Sequence, residues 1–199
     1  MNESIREQKS ALRRRIRNEL ERLPPGARLA ASAQACSRLR QERIWREAGS
    51  VLLYAPLADE PDVEPLWRDA LATGKTLALP RFDPETGSYQ ACRVLNPAED
   101  LKPGQFGIPE PGENCPPVAL KRLDFILTPG VGFTLDGRRL GRGKGFYDRL
   151  LSSVRGSKCG IAFDEQIVDD IPAELHDIRL DCILTPTRWF RTGQDAVWK

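Results

Sequence analysis

Asp124-Phe125-Ile126-Leu127-Thr128-Pro129-Gly130-Val131-Gly132-Phe133, followed after a turn by Arg138-Arg139-Leu140-Gly141-Arg142-Gly143-Lys144-Gly145-Phe146-Tyr147-Asp148-Arg149, is the stretch whose reading decides the fold. The run Phe125-Ile126-Leu127 is short, wholly apolar and followed closely by Pro129 and Gly130, the pattern of a strand buried on both faces. It leads through a glycine-rich loop into a helical pattern from about Gly145 to Val154. Strand, loop and helix in this order form the repeating unit of an α/β sheet.

The same pattern recurs on either side. Val51-Leu52-Leu53-Tyr54, Thr76-Leu77-Ala78-Leu79, Cys159-Gly160-Ile161-Ala162-Phe163 and Cys182-Ile183-Leu184 read as further buried strands, and a helical segment near Val63 to Ala72 separates two of them. The more alternating run Tyr89-Gln90-Ala91-Cys92-Arg93-Val94 predicts an antiparallel element. Upstream, Ile5, Leu12, Ile16, Leu20 and Leu23 recur near intervals of three, four and seven, which predicts an amphipathic helix over Ser4 to Arg22. Pro24-Pro25-Gly26 ends it, and a second helical pattern runs from about Ala27 to Glu47. The predicted fold is therefore a single open, mostly parallel sheet flanked by helices, with an N-terminal helical pair. A length of 199 residues predicts one domain over 1–199. The Pro- and Gly-rich stretch from Asn96 to Pro117 is a long loop of the kind that often carries function.

Composition narrows the function classes. Thirty Lys and Arg against 28 Asp and Glu leave a net charge of +2, which gives no general case for nucleic acid or a membrane as partner, so any anion site must be local. No stretch approaches the roughly 20 apolar residues that span a bilayer. No apolar run follows Arg13-Arg14-Arg15 to make a secretory signal. Five scattered cysteines without CxxC spacing fit a reducing compartment and argue against a zinc site. The expected location is the cytoplasm, and the expected state a monomer.

The glycine-rich loop is suited to phosphate. Gly141, Gly143 and Gly145 allow close backbone approach, while Arg142 and Lys144 bring cations to the same place. It is not a Walker loop, because Gly145 follows Lys144 where Ser or Thr is required. Gly74-Lys75-Thr76 has the right ending, but Asp69 stands at the needed upstream glycine. Nor is it a dinucleotide fingerprint, whose last glycine would fall at Phe146. A solvated basic turn is the alternative that pattern alone leaves open. His176, the only histidine, lies beside Asp177 near a turn and reads as structural before catalytic.

The run GRGKGFYD over 141–148, preceded by TPGVGF over 128–133, resembles the signature of the 5-formyltetrahydrofolate cyclo-ligase family. KSALR with Lys9 and Arg13, LYAPLADEPD around Glu60, FGIPEP from Phe106 and HDIRLDCILTP from His176 match in the family's usual order. The resemblance implies an ATP- and Mg2+-dependent enzyme that closes 5-formyltetrahydrofolate into 5,10-methenyltetrahydrofolate. It assigns ATP to Lys9, Arg13 and the run Arg139, Leu140, Gly141, Arg142, Gly143, Lys144, Gly145, Phe146 and Tyr147. It assigns the folate to Arg13, Glu60, Phe106 and Arg142 through Phe146, and the metal to Asp148 and Asp181. Lys144 and Arg142 are the expected stabilisers of the transferring phosphoryl group. At Phe146 the family usually carries Tyr, so a phenol hydroxyl is missing here. An RNA-binding protein that uses Arg13-Arg14-Arg15 and Arg17, or a sugar-phosphate isomerase, are the rival readings. Salt dependence of RNA affinity and ATP dependence of the rate separate them.

Overall fold

The computed structural model describes residues 4–104, 107–174 and 177–192. Helix α1 spans Ile5–Glu21. Ser4 caps it reciprocally: the Ser4 hydroxyl accepts the Glu7 N–H at 3.3 Å and Glu7 accepts the Ser4 N–H at 2.9 Å. Its buried Ile16 and Leu20 pack with Val131, Leu140 and Phe163, which docks the helix over the glycine-rich segment. Pro25 opens α2, Pro25–Gln41, and α3 follows at Arg43–Glu47. The sequence predicts one helix here, but Glu42 is extended. At about 100° per residue, a continuous helix would hold Leu39 and Trp45 on different faces. The break lets both be buried, with Trp45 edge-on to Phe125 at 5.8 Å and its Nε1 donating to Asp69 at 2.8 Å.

Then come β1 (Ser50–Leu52), α4 (Glu64–Ala72), β2 (Thr76–Asp83) and β3 (Ser88–Val94). The predicted long loop holds a short helix α5 (Pro97–Asp100) and a small hairpin of β4 (Leu101–Pro103) and β5 (Pro109–Pro111). The decisive stretch forms β6 (Phe125–Thr128), a hairpin of β7 (Gly132–Phe133) and β8 (Arg139–Leu140), and α6 (Phe146–Ser152). The chain ends in β9 (Ser157–Ile161), β10 (Cys182–Leu184) and β11 (Trp189–Arg191).

Seven strands form one sheet in the order β11-β10-β9-β6-β1-β2-β3. The five inner strands are parallel; β3 and β11 are antiparallel edges. Strand β6 is buried along its length and divides its side chains between two cores. Phe125 and Leu127 face the core shared with α2, α3 and α4; Ile126 faces the core shared with Leu150 and Leu151 of α6. This two-sided burial is why the inner strands read as unbroken apolar runs. Among the described residues no helix is long and apolar enough to cross a membrane.

Candidate active site

In an open parallel sheet, ligands bind where strands deliver loops at their carboxyl ends. A cavity of about 530 Å³ opens there. Tyr54, Ala55 and Glu60 reach it from beyond β1, and Pro129 and Gly130 from beyond β6. Lys9 and Arg13 reach it from α1, and Ile108 and Pro109 from the β4–β5 hairpin. The whole run from Arg139 to Asp148 also lines it. The cavity thus gathers every sequence-predicted site residue except two: Phe106, which lies outside the described residues, and Asp181, which does not line the cavity. His176, read as structural, also lies outside the described residues.

Asp181 stands just before β10, at the amino end of the parallel strands. Its carboxylate accepts the Lys158 N–H at 2.8 Å and its own N–H donates to the Lys158 carbonyl at 2.8 Å. It fastens the start of β10 to β9, at the edge of the sheet away from the cavity. The expectation that it joins Asp148 at one metal ion is therefore corrected. The carboxylates this segment brings to the cavity are Glu174 and Asp177. The resemblance places the metal at Asp181 within HDIRLDCILTP and passes over both.

The loop's geometry follows from its glycines. Gly143 and Gly145 adopt φ of 102° and 65°, in the left-handed region that strains any residue with a Cβ. Gly145 caps α6, and the Arg149 guanidinium reaches back to the Lys144 carbonyl at 3.4 Å and across to the Gly87 carbonyl at 2.9 Å. Arg13 Nε donates to the Gly141 carbonyl at 2.8 Å, so α1 also holds the loop. Burial and the nearby Arg17 charge push the Arg13 pKa down.

Arg139 is the most enclosed cation of the set, with 3% of its side chain exposed. Its Nη2 donates to Asp148 Oδ1 at 2.9 Å, its Nη1 to the Pro129 carbonyl at 3.3 Å, and its guanidinium lies 5.6 Å from the Tyr147 ring centre. Its Nε is buried without a partner. Such an orphan N–H is costly and suits a site that an anion completes. Leu140, beside it, is a packing residue of the α1 core.

Glu60 is buried, yet its carboxylate is held from both sides. Oε1 accepts Arg142 Nε at 3.1 Å and Nη2 at 3.0 Å, and Oε2 accepts the Leu57 N–H at 3.0 Å. Burial pushes its pKa up, against the pull of Leu57 and Arg142. Arg142 also meets Asp59. Burial disfavours its charge, but the two carboxylates more than offset this and raise its pKa. Lys9 Nζ is bonded to Glu174 at 2.8 Å and Asp177 at 2.7 Å. Burial opposes its charge as well, but these partners raise its pKa.

Phe146 is the hub of an aromatic wall. Its ring centre is 5.3 Å from Phe82 and 5.4 Å from Tyr89, and Tyr89 lies 5.9 Å from Tyr147. Lys144 Nζ and the Arg149 guanidinium stand 5.8 and 5.2 Å from the Phe146 ring centre. Sequence reasoning missed Tyr89, which lies on an edge strand and gives no motif.

A cavity that brings cations, a buried carboxylate and aromatic rings together can hold a polyanion and a flat heterocycle side by side. A family model described as the 5-formyltetrahydrofolate cyclo-ligase family matches residues 5–186. The 5-formyltetrahydrofolate cyclo-ligase of Escherichia coli (strain K12) is 32% identical over 177 residues, covering 87% of this chain and 97% of that protein. The mouse protein of the same name is 28% identical over 192 residues, covering 91% and 95%. The solved structure of Aquifex aeolicus 5,10-methenyltetrahydrofolate synthetase superposes with a TM-score of 0.84 at 34% identity, covering 96% of each chain. A Mycoplasma pneumoniae 5,10-methenyltetrahydrofolate synthetase, 22% identical, shares the fold at a TM-score of 0.72 over 89% of this chain and 98% of that one.

Proposed function

The chain belongs to the 5-formyltetrahydrofolate cyclo-ligase family, and on that premise we propose that its cavity brings ATP and 5-formyltetrahydrofolate together and closes the folate to the 5,10-methenyl form. The observation that carries this reading is the shared lining: Lys9, Arg13, Glu60 and the loop from Arg139 to Asp148 face one cavity although they lie far apart in sequence.

The formyl group is an amide, and its oxygen is a poor leaving group. The formyl oxygen attacks the γ-phosphorus of ATP; the bond from that phosphorus to the bridging oxygen breaks and ADP departs. The nitrogen at position 10 attacks the carbon of the resulting iminium phosphate and gives up its proton, and the carbon–oxygen bond breaks so that phosphate leaves as the ring closes. Such a route asks the protein for alignment and charge stabilisation more than for a nucleophile. In this reading Lys144 meets the transferring group, Lys9, Arg13 and Arg139 hold the phosphates, and Arg142 spans the two substrates because it already grips Glu60. Glu60 takes the N–H edge of the pterin.

The residues present also fit Mg2+. Asp148 has one oxygen held by Arg139, which leaves Oδ2 for a hard cation, and Asp177 supplies a second carboxylate to the cavity. Among the described residues no group of three or more metal-ligating side chains is gathered. That suits Mg2+, which takes one or two carboxylates and completes its shell with substrate phosphates and water. When bound, the ion would supply countercharge to the phosphates. We further read the enzyme as a monomer of the cytoplasm, a reducing compartment that suits its five free cysteine thiols. The test is direct: purified protein, Mg-ATP and 5-formyltetrahydrofolate should yield the methenyl product by absorbance. Folded protein at high concentration that makes none over hours would end the reading.

A further inference from the structure

Tyr89 lies on β3 opposite Phe82 of β2 and lines the cavity. Its ring is held on three sides, by Phe82 at 5.9 Å, Phe146 at 5.4 Å and Tyr147 at 5.9 Å. Its hydroxyl is different. Among the described residues it meets no hydrogen-bond partner, and it is not among the polar atoms shut away from solvent without one. The buried Tyr54 shows the contrast, because its hydroxyl donates to the Pro61 carbonyl at 2.8 Å. A ring so firmly placed, with a donor left open to the cavity, is preorganised for a bound molecule.

The groups around the hydroxyl narrow which molecule. Burial first, and then the Glu110 and Glu60 carboxylates, push the Tyr89 phenol up to about 12. It therefore stays a neutral O–H donor at any working pH. Glu110 is itself buried, with one oxygen on the Phe82 N–H at 2.9 Å and the other without a partner. Glu60 faces the cavity with its charge paired to Arg142, and the rings of Tyr89 and Phe146 beside it offer a flat apolar surface that suits a neutral heterocycle. A pteridine presents N–H donors beside a carbonyl acceptor, so a carboxylate and a phenol together match its amide-like edge.

We infer that Tyr89 is a further substrate-binding residue at the folate end of the cavity, where its hydroxyl donates to a carbonyl-type acceptor of the pteridine. The inference rests on Glu60 marking that end. It concerns the hydroxyl alone, because the ring has packing partners enough to explain an aromatic residue at this position.

Calorimetric titration of the whole protein with 5-formyltetrahydrofolate, and separately with a non-hydrolysable ATP analogue, tests it in Tyr89→Phe and Glu60→Gln. Tyr89→Phe keeps the ring and should loosen the folate by about 5- to 15-fold, the loss expected for one hydrogen bond, with the ATP analogue unaffected. Folate affinity unchanged in Tyr89→Phe but weakened in Glu60→Gln overturns the role of Tyr89 and leaves the site reading standing. Unchanged folate affinity in both removes the pteridine from this wall, and Tyr89 with it. A Tyr89→Phe effect on the ATP analogue alone would place the hydroxyl at the nucleotide instead and also overturn the inference.

Discussion

Arg142 grips Glu60 across 82 positions of sequence, with Nε 3.1 Å and Nη2 3.0 Å from the same carboxylate oxygen. The pair ties the glycine-rich loop to the segment after β1, and it makes the two side chains interdependent. Glu60 is a carboxyl whose folded pKa is raised by burial. A raised pKa favours the fold fully below the ordinary carboxyl value of 4.5, and that advantage is lost as pH rises through the folded value. At neutral pH the buried charge is thus a cost that Arg142 offsets. Arg142→Met should destabilise the protein at pH 8 by roughly 1–3 kcal/mol, less than for a fully enclosed pair because Arg142 is partly exposed. The loss should shrink toward pH 5, and adding Glu60→Gln should recover most of it. Urea melts at both pH values check this; a loss independent of pH would mean that the Arg142 stem, not its charge, matters.

Glu60→Gln taken alone addresses the ligand. The amide keeps the shape but gives up the charged acceptor, so folate binding should weaken by ~1–3 kcal/mol while nucleotide binding stays near wild type. Below the folded pKa of Glu60 the wild type should lose folate affinity in the same way. Calorimetry across pH checks both, since the variant should lack the pH step that the wild type shows.

The metal prediction separates Asp148 from Asp181. Asp148→Asn should raise the Mg2+ concentration for half-maximal rate, because it removes the charge that one cation and Arg139 share. Asp181→Ala should leave the Mg2+ response alone and cost ~0.5–1.5 kcal/mol of stability through the lost Lys158 N–H contact. A shifted Mg2+ response in Asp181→Ala would return that residue to the site.

The contrast between these two aspartates shows what was legible in the sequence. Phe125-Ile126-Leu127 read as a buried strand because both cores claim it, and the loop read as an anion site because glycine and cation spacing are local properties. Asp181 misled because the chain from Asp177 to Asp181 runs from the cavity to the amino end of β10, and no motif records that direction. The break at Glu42 was equally hidden: only the joint burial of Leu39 and Trp45 demands it. Tyr89 needed the tertiary structure altogether, since its neighbours Phe146 and Tyr147 arrive from α6.

Lys9 offers a test on the first helix. It is bonded to Glu174 and Asp177, and the two carboxylates hold its pKa above 10.5 despite burial. Such a lysine adds stability that is fully present below 10.5 and fades as pH rises through the folded value. Lys9→Met keeps the stem and removes the charge. It should lower stability by about 1 kcal/mol at neutral pH, since Glu174 is well exposed, and the difference from wild type should close in strong alkali. ATP affinity should fall further than stability does. A residue that only clamped the helix would leave ATP affinity unchanged in protein shown to be folded.

Lys144 carries the sharpest prediction. Its ammonium stands 5.8 Å from the Phe146 ring centre at the exposed rim of the loop, between two glycines whose backbone only glycine readily adopts. If it meets charge on the phosphoryl group during transfer, its contribution is larger in the transition state than in bound substrate. Lys144→Ala should therefore lower turnover by roughly 100-fold or more, the scale seen when a preorganised charge-stabilising group is lost. Folate affinity should change much less. Lys144→Arg keeps the charge on a planar fork instead of a compact ammonium and should rescue only part of the rate. Stability should hardly move, because the side chain is exposed and the positive-φ positions are the flanking glycines, which are unchanged. Single-turnover measurement with saturating ATP and folate decides the matter: an alanine variant whose chemical step runs at the wild-type rate would take Lys144 out of the mechanism and leave phosphoryl stabilisation to Arg142 and Arg139.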